Sequence, residues 1–405
     1  MKKSPIQKTN HATPLTQHKR VLLVSPQPFY ETRGTPIAVR HILVALGQLG
    51  YKVDVITYPI GEEIELPSVR ILRTPNPFRF QSIPIGFSFK KLFFDVMLTV
   101  LFYKQFRSNY YLCVHVLEEL AFPVALLANQ KKVFVIYDMA SSLPEQLSHS
   151  FFFSNKLCQK ILKYLEKQLF AYVDYIACSA GLATYIKQSC PSARTTEWFF
   201  PISSKTPDPK YIKEMRRKLQ LSDGNRVVMY IGSFAKYQGV NNLIEAAQRV
   251  TSKFPQLVVF LIGITKEEQW SFRQYTRKDL SPQIRVIPRL PREEVNCLLA
   301  LADVLVSPRL YGSNTPLKIM EYMASGKPIV ASDIAAHRTI LDDTRAVLVE
   351  PTIEGFTSGI TRVLLDDNLA IRIGRAARVY AADAFNWCRF IRHVEKIYQE
   401  ACLSS

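Results

Sequence analysis

The segment Ser307–Ser332, SPRLYGSNTPLKIMEYMASGKPIVAS, constrains this chain more than any other, because a helix start, its stop and a single carboxylate can be read from it directly. Thr315 is a good N-cap and Pro316 suits the first helical position, where a missing N–H costs nothing; Gly326 and Pro328 stop the helix. The spacing predicts a short helix over 316–325. Leu317, Ile319, Met320, Met323 and Ala324 cover most of its circumference, so a helix buried between layers is expected, with only Lys318 and Glu321 interrupting the apolar surface. A buried Glu needs a partner. One reading pairs Glu321 with Lys318, one turn away. The other starts at the helix N-terminus. There the amides of Ser313, Asn314, Thr315 and the first turn point outward with the positive end of the dipole, which suits a phosphate, and Lys318 adds a full charge. Glu321, one turn deeper, is then placed to accept from a sugar hydroxyl, as α/β folds hold a ribose beside its phosphates.

Around this segment the chain reads as an alternation of strands and helices. RVLLVS, residues 20–25, is a buried strand; a helical pattern follows over 36–49, closed by Gly50, and YKVDVIT is a second strand. Strand, helix, strand at this spacing is a βαβ unit, which implies a parallel sheet with a ligand crevice at the strand ends. The loop between them carries Arg33, Gly34 and Thr35 just before the helix, where an ordinary tight loop would explain them. YLCVHV with His115, KKVFVIYD ending in Asp138, a helix over 157–171 and VDYIACSAG continue the pattern. A proline-rich polar stretch over 199–210 marks a boundary. Beyond it RVVMYIG, the loop SFAKYQG and a helix over 240–250 repeat the opening arrangement, and strands follow at 256–263, 283–290 and 301–309.

With 405 residues and 48% hydrophobic composition, the chain has room for two domains and fits no disordered class. The expected division is a loose tail over 1–20, a first α/β domain over 20–203, a second over 204–385, and a final helix over 386–405. Seven scattered cysteines without a paired short spacing suit a reducing cytoplasm. The basic N-terminus has no apolar core after it, so neither a signal peptide nor an anchor is expected. The formal net charge of +18 favours an anionic partner: a nucleotide, a nucleic acid or an acidic membrane surface. No basic helix with interleaved aromatics, zinc spacing or RNA module is present, so nucleic acid is not the expected partner. The stretch 78–107 is crowded with phenylalanines and basic residues. Its longest apolar part, 92–103, is too short to span a bilayer, which takes about 20 residues. It is either a core helix with basic ends or a helix lying in the headgroup layer, anchored by Lys90, Lys91, Lys104 and Arg107.

Pro316, Leu317, Glu321, Tyr322, Met323, Ala324, Gly326, Pro328, Ile329 and Val330 together resemble the P-x-x-E-A-M-A-x-G-x-P-V-V segment of the retaining, nucleotide-sugar-dependent glycosyltransferases of family four. The pattern of Leu165, Glu166, Lys167, Leu169, Asp174, Ile176 and Ser179, and the F-x-W start of the last helix in AFNWCRF, are similar to that family as well. The resemblance implies a GT-B fold: two Rossmann-like domains facing across a cleft, with the C-terminal helix crossing back to the first. It implies a nucleotide diphosphate sugar held by the second domain and an acceptor on the first, with no metal and no other cofactor; the stretch 78–107 and the net charge of +18 point to a lipid-linked or surface-glycan saccharide as that acceptor. Gly34, Thr35, Gly232, Ser233, Lys236, Ser313, Asn314, Thr315, Pro316 and Leu317 are then the donor-binding residues. His115, Lys318 and Glu321 are the catalytic ones, with His115 steadying the reacting sugar; His337 is expected in a loop near the donor.

Several family positions differ. Leu117 replaces the second histidine of an H-x-H pair, Ser233 and Gln238 stand at the two cationic positions of the glycine loop, and no carboxylate is present near Ser313. Lys318 is the expected compensation; Lys236 is either a second one or a surface lysine. A non-catalytic binding or scaffold subunit of the same fold is the alternative. The implied location is cytoplasmic, peripheral at the membrane's inner face.

Overall fold

The computed structural model describes residues 19–31, 34–83, 88–147, 155–202, 206–265 and 280–404. Two parallel sheets follow one another along the chain. The first contains β1 (Arg20–Ser25), β2 (Lys52–Thr57), β3 (Val69–Arg73), β4 (Cys113–Leu117), β5 (Phe134–Met139), β6 (Tyr175–Cys178) and β7 (Thr195–Glu197), in the order β3-β2-β1-β4-β5-β6-β7. The second contains β8 (Arg226–Ile231), β9 (Leu257–Ile264), β10 (Ile284–Pro288), β11 (Val304–Ser307), β12 (Ile329–Ser332) and β13 (Val347–Val349), in the order β10-β9-β8-β11-β12-β13. Every pairing is parallel. Helices therefore cover both faces of each sheet, and the central strands are continuous apolar runs for that reason. Each sheet reverses its strand order beside its first strand, between β1 and β4 and between β8 and β11. Open α/β sheets bind ligands at such points, beyond the carboxyl ends of the strands.

The strands read from sequence are recovered with trimmed ends. The short strands β3, β7 and β13 were not anticipated, since each sits away from its sheet's centre and carries few fully buried residues. The helix after β1 begins at Gly34, two residues before the expected start. The final helix, Trp387–Ser404, returns to the first sheet, where Phe390, Val394, Ile397, Tyr398 and Ala401 join the cluster built on Val21, Leu23, Val53 and Cys113. Each large side chain buried there contributes about 1.5–3 kcal/mol, so this contact holds the helix to the first half.

The phenylalanine-rich stretch forms the helix Phe89–Ser108, capped by the Ser88 hydroxyl accepting from Lys91 N; its residues 84–87 lie outside the described residues. The core-helix reading holds for one face of it. Phe94, Leu98, Phe102 and Phe106, four residues apart, face the core, while Phe89, Leu92, Val96, Val100 and Tyr103 form a second stripe open to solvent. Among the described residues no helix is long and apolar enough to cross a membrane.

Candidate functional site

The second sheet's switch point brings two cationic side chains, Lys318 and Arg309, against the glycine loop after β8. β8 ends at Ile231, and the chain turns through Gly232, whose N–H donates to Ile262 O at 2.9 Å. A Cβ on Gly232 would stand 2.7 Å from the Lys318 ammonium, so a side chain there would push the lysine away. Gly239 closes the loop at φ 67°, and a Cβ on it would collide with the Pro308 carbonyl just past β11. These glycines let the two loops touch, and Lys318 reaches into the junction.

Lys318 lies in the first turn of the helix Leu317–Ser325. Its ammonium donates to Gln238 Oε1 at 2.7 Å and Tyr230 Oη at 3.2 Å, and sits 4.4 Å from the Tyr230 ring centroid. Tyr230 in turn donates to Ser233 O at 2.6 Å. Burial pulls the Lys318 pKa down to about 7, with Arg309 adding repulsion and Glu321 opposing both. Arg309, two residues past β11, is buried, while Lys318 is partly buried. It donates to Tyr311 O at 2.8 Å, Asn314 O at 3.2 Å and Asn314 Oδ1 at 2.9 Å, and lies 5.5 Å from the Tyr237 ring centroid. Among the described residues no carboxylate forms an ion pair with either cation. Two desolvated positive groups with neutral acceptors are costly alone. An anion between the loops would offset that cost, and the helix dipole points the same way.

The remaining expected residues are only partly assembled. Pro316, rather than Thr315, is the N-cap of the helix, and the helix starts at Leu317; the Thr315 hydroxyl instead meets Thr339 Oγ1 at 2.7 Å. The Ser313 amide is not open, because it donates to Glu145 Oε1 at 3.2 Å and the Ser313 hydroxyl donates to Glu145 Oε2. Asn314 spends its carbonyl and side-chain oxygens on Arg309. Leu317 faces the first half: a Cβ on Gly34 would lie 3.9 Å from its Cδ1. Thr35 Oγ1 donates to Glu118 Oε1 at 3.4 Å, while Arg33 lies outside the described residues. Lys236 is exposed on a short turn, Lys236–Gln238, away from the cationic pair.

Glu321 does have a partner, but it is Arg292 rather than Lys318. Lys318 instead extends toward β8, since its N-terminal turn faces the glycine loop and Arg292 rises from the preceding helix, Arg292–Leu301. His115 requires a larger correction. It is fully buried, with Nδ1 2.6 Å from Tyr398 Oη, its ring stacked 6.1 Å from Trp198, and Nε2 3.8 Å from Asp138 Oδ2. Side chains alternate along β4, so Cys113, His115 and Leu117 all face the layer closed by the C-terminal helix. His115 is fully buried there, and its Nε2 has no hydrogen-bond partner among the described residues. His337 is likewise not in a loop: it sits buried in the helix Ala335–Arg338, bonded to Ser307 Oγ at 3.1 Å and Ser332 O at 2.8 Å. Burial pushes its pKa down to about 4, so it braces the ends of β11 and β12 as a neutral ring.

Arg309, Tyr230, Arg292 and Glu145 were missed in the sequence. Arg309 had a signal, its place immediately beyond a strand end. The other three depend on contacts across 29 to 168 positions of chain, which no local pattern reveals. Among the described residues no group of three or more His, Cys, Asp or Glu is placed to hold a metal ion.

Comparison with known proteins agrees with this geometry. Residues 212–380 match the family model described as glycosyl transferases group 1. An uncharacterised glycosyltransferase of Methanocaldococcus jannaschii is 22% identical over 356 residues, spanning 86% of this chain and 84% of that one. Sucrose-phosphate synthase from Thermosynechococcus elongatus superposes with a TM-score of 0.78 at 20% identity, covering 96% of this chain and all of that one. Anabaena HepE, solved in complex with UDP-glucose, gives 0.74 at 15% identity over 95% of this chain and all of its own. Sheet order, switch-point loops and the returning helix converge with these likenesses on one conclusion: the chain has the two-domain GT-B fold, and its residues 212–380 match the glycosyl transferases group 1 family.

Proposed function

We propose that the protein transfers a sugar from a nucleotide diphosphate sugar to a saccharide acceptor, with the diphosphate seated between the Gly232 loop and the start of the Leu317–Ser325 helix. The observation that carries this reading is Lys318. Its ammonium rests on Gln238, the position where the family resemblance leads one to expect a cation, so a lysine from another element supplies the charge at nearly the same place. Arg309 adds a second cation. As the bond to the sugar breaks, negative charge accumulates on the leaving diphosphate, and preorganised cations in a desolvated site stabilise that charge more in the transition state than before it. The amides of Leu317 and Lys318, without intrahelical acceptors at the helix start, act in the same direction. Glu321, oriented by Arg292, is the proposed acceptor for a ribose hydroxyl. Retention of configuration and independence of a metal ion belong to this proposal through the family resemblance. A panel of nucleotide sugars, scored by released nucleoside diphosphate, tests it; release from none of them would favour a non-catalytic GT-B subunit. The burial of His115 is the observation on that side.

The proposed acceptor is lipid-linked, reached by an enzyme resting peripherally on the cytoplasmic face of a membrane. The helices Phe89–Ser108, Ala121–Asn129 and Lys156–Tyr172 form one layer on the first sheet. Its outer surface exposes Phe89, Leu92, Val96, Val100 and Tyr103 on the first helix and Leu157, Ile161, Tyr164 and Tyr172 on the third. Lys91 pairs with Glu119 and Lys90 lies 4.4 Å from the Phe80 ring centroid, so neither is the main attraction to lipid. Lys104, Arg107, Lys156, Lys160, Lys163 and Lys167 are exposed, and each contributes about 1 kcal/mol beside an anionic leaflet. Flotation with phosphatidylglycerol vesicles should show binding that falls with salt and is lost when these six are neutralised. Wild-type protein that ignores such vesicles at low salt overturns the membrane reading.

A further inference from the structure

The loop from Ser307 to Met320 contains no acidic residue, yet a carboxylate stands against it. It comes from the other half of the molecule. Glu145, in the short helix Leu143–Leu147 beyond β5, accepts from the Ser313 amide and hydroxyl, 168 positions away in the chain. Its placement is built in several steps. The Ser142 hydroxyl accepts from Glu145 N at 3.2 Å, and buried Glu166 accepts from Leu143 N at 2.6 Å and from Tyr185 Oη at 2.5 Å, which ties the short helix to its neighbours. The two halves also touch at Gly181, where a Cβ would collide with the Ser313 carbonyl. The Glu145 charge is felt at Arg309, whose own charge presses on Lys318, so the carboxylate belongs to the same electrostatic cluster.

A carboxylate beside a diphosphate site repels the diphosphate and cannot be a ligand for it. What it can receive is the neutral, hydroxyl-rich group that the diphosphate carries. We infer that Glu145 is a specificity-determining residue: reaching across the cleft to the Ser313 loop, it accepts hydrogen bonds from hydroxyls of the donor sugar beside the Lys318–Arg309 site. This inference rests on the donor-site reading above, but it assigns sugar recognition to the first half rather than to the second alone. Exchange of the Ser313 amide and hydroxyl for sugar hydroxyls keeps these two bonds to the carboxylate made in both states.

The test separates sugar from nucleotide. Calorimetric titration with UDP, GDP, ADP and TDP, and with the corresponding diphosphoglucoses, gives for each base the gain in affinity due to the sugar. The wild type should bind one sugar nucleotide more tightly than its parent diphosphate. Glu145→Gln and Glu145→Ala should reduce that gain by about tenfold or more while leaving diphosphate affinity within about twofold, since hydrogen bonds to a charged group are the stronger kind. Glu145→Asp should recover part of it. Melting temperatures certify the variants, and the near-isosteric Glu145→Gln carries the test if Glu145→Ala fails to fold. Equal weakening of diphosphate and sugar nucleotide would make Glu145 a clasp between the halves and overturn the inference, as would no change in either. Wild-type protein that binds none of the eight compounds overturns the donor-site reading itself.

Discussion

The two switch points of this molecule have the same topology and opposite chemistry. Beside β8 and β11 the crevice is walled by glycines, and two cations meet it with only neutral hydrogen-bond partners. Beside β1 and β4 the corresponding buried polar group, His115, is enclosed by Tyr398, Trp198 and Asp138. Each sheet offers a ligand crevice by virtue of its strand order. Whether a crevice becomes a site depends on which side chains a ligand can reach and on the charge they carry. In the second half the cationic pair forms no ion pair with a carboxylate among the described residues. In the first half the returning C-terminal helix fills the layer with its own aromatic residues, and what reaches the cleft is Gly34, Thr35, Glu118 and the helix bearing Glu145.

The sharpest break of this contrast is Lys318→Ala, which should lower turnover by about 10²-fold, the usual cost of losing one preorganised charge-stabilising donor. The same residue gives a pH signature. Folding lowers its pKa from 10.5 to about 7, so the unfolded chain binds the extra proton between those values. This group's contribution to stability therefore falls as pH drops from 10.5 toward 7 and is flat below. Diphosphate binding favours the protonated form, so nucleoside diphosphate affinity should weaken as pH rises above about 7, and Lys318→Met should remove that dependence. A lysine without contact to the ligand would leave affinity flat through this range.

Glu321→Gln should weaken nucleoside diphosphate binding by about tenfold through loss of a charged hydrogen-bond acceptor. If its melting temperature drops while affinity is kept, the Arg292 pair is structural only. His115→Leu strands the buried Tyr398 hydroxyl and should cost about 1–3 kcal/mol of stability, with turnover per folded molecule changed by less than about twofold. A large fall in turnover without a fall in stability would restore His115 to the chemistry. The smallest effect is expected for Lys236→Ala, an exposed side chain whose replacement should stay within about 0.5 kcal/mol in stability and leave turnover unaltered. A loss comparable to that of Lys318→Ala would place the diphosphate further along the glycine loop.

Much of this was legible before any coordinates, and for a local reason. Continuous apolar runs such as RVLLVS and RVVMYI can only be strands buried on both faces, and the helix patterns between them force parallel connections. The stop at Gly326 could be read because a left-handed turn, here φ 73°, suits glycine. The start could not, because Thr315 had a competing partner in Thr339 that only the fold supplies. The place of Lys318 near a helix start was legible from one helix turn alone, but its contact with Gln238 was not.

By itself, then, the sequence determined what depends on neighbours within a few positions: strand and helix periods, the βαβ alternation, and the lysine near a helix start. Tertiary structure decided what depends on pairs far apart in the chain. It drew His115 under the C-terminal helix, gave Glu321 to Arg292, placed Arg309 beside Lys318, and carried Glu145 across to Ser313. The physical reason is that a side chain's chemistry is set by desolvation and by the partners around it, and both are properties of the packed molecule.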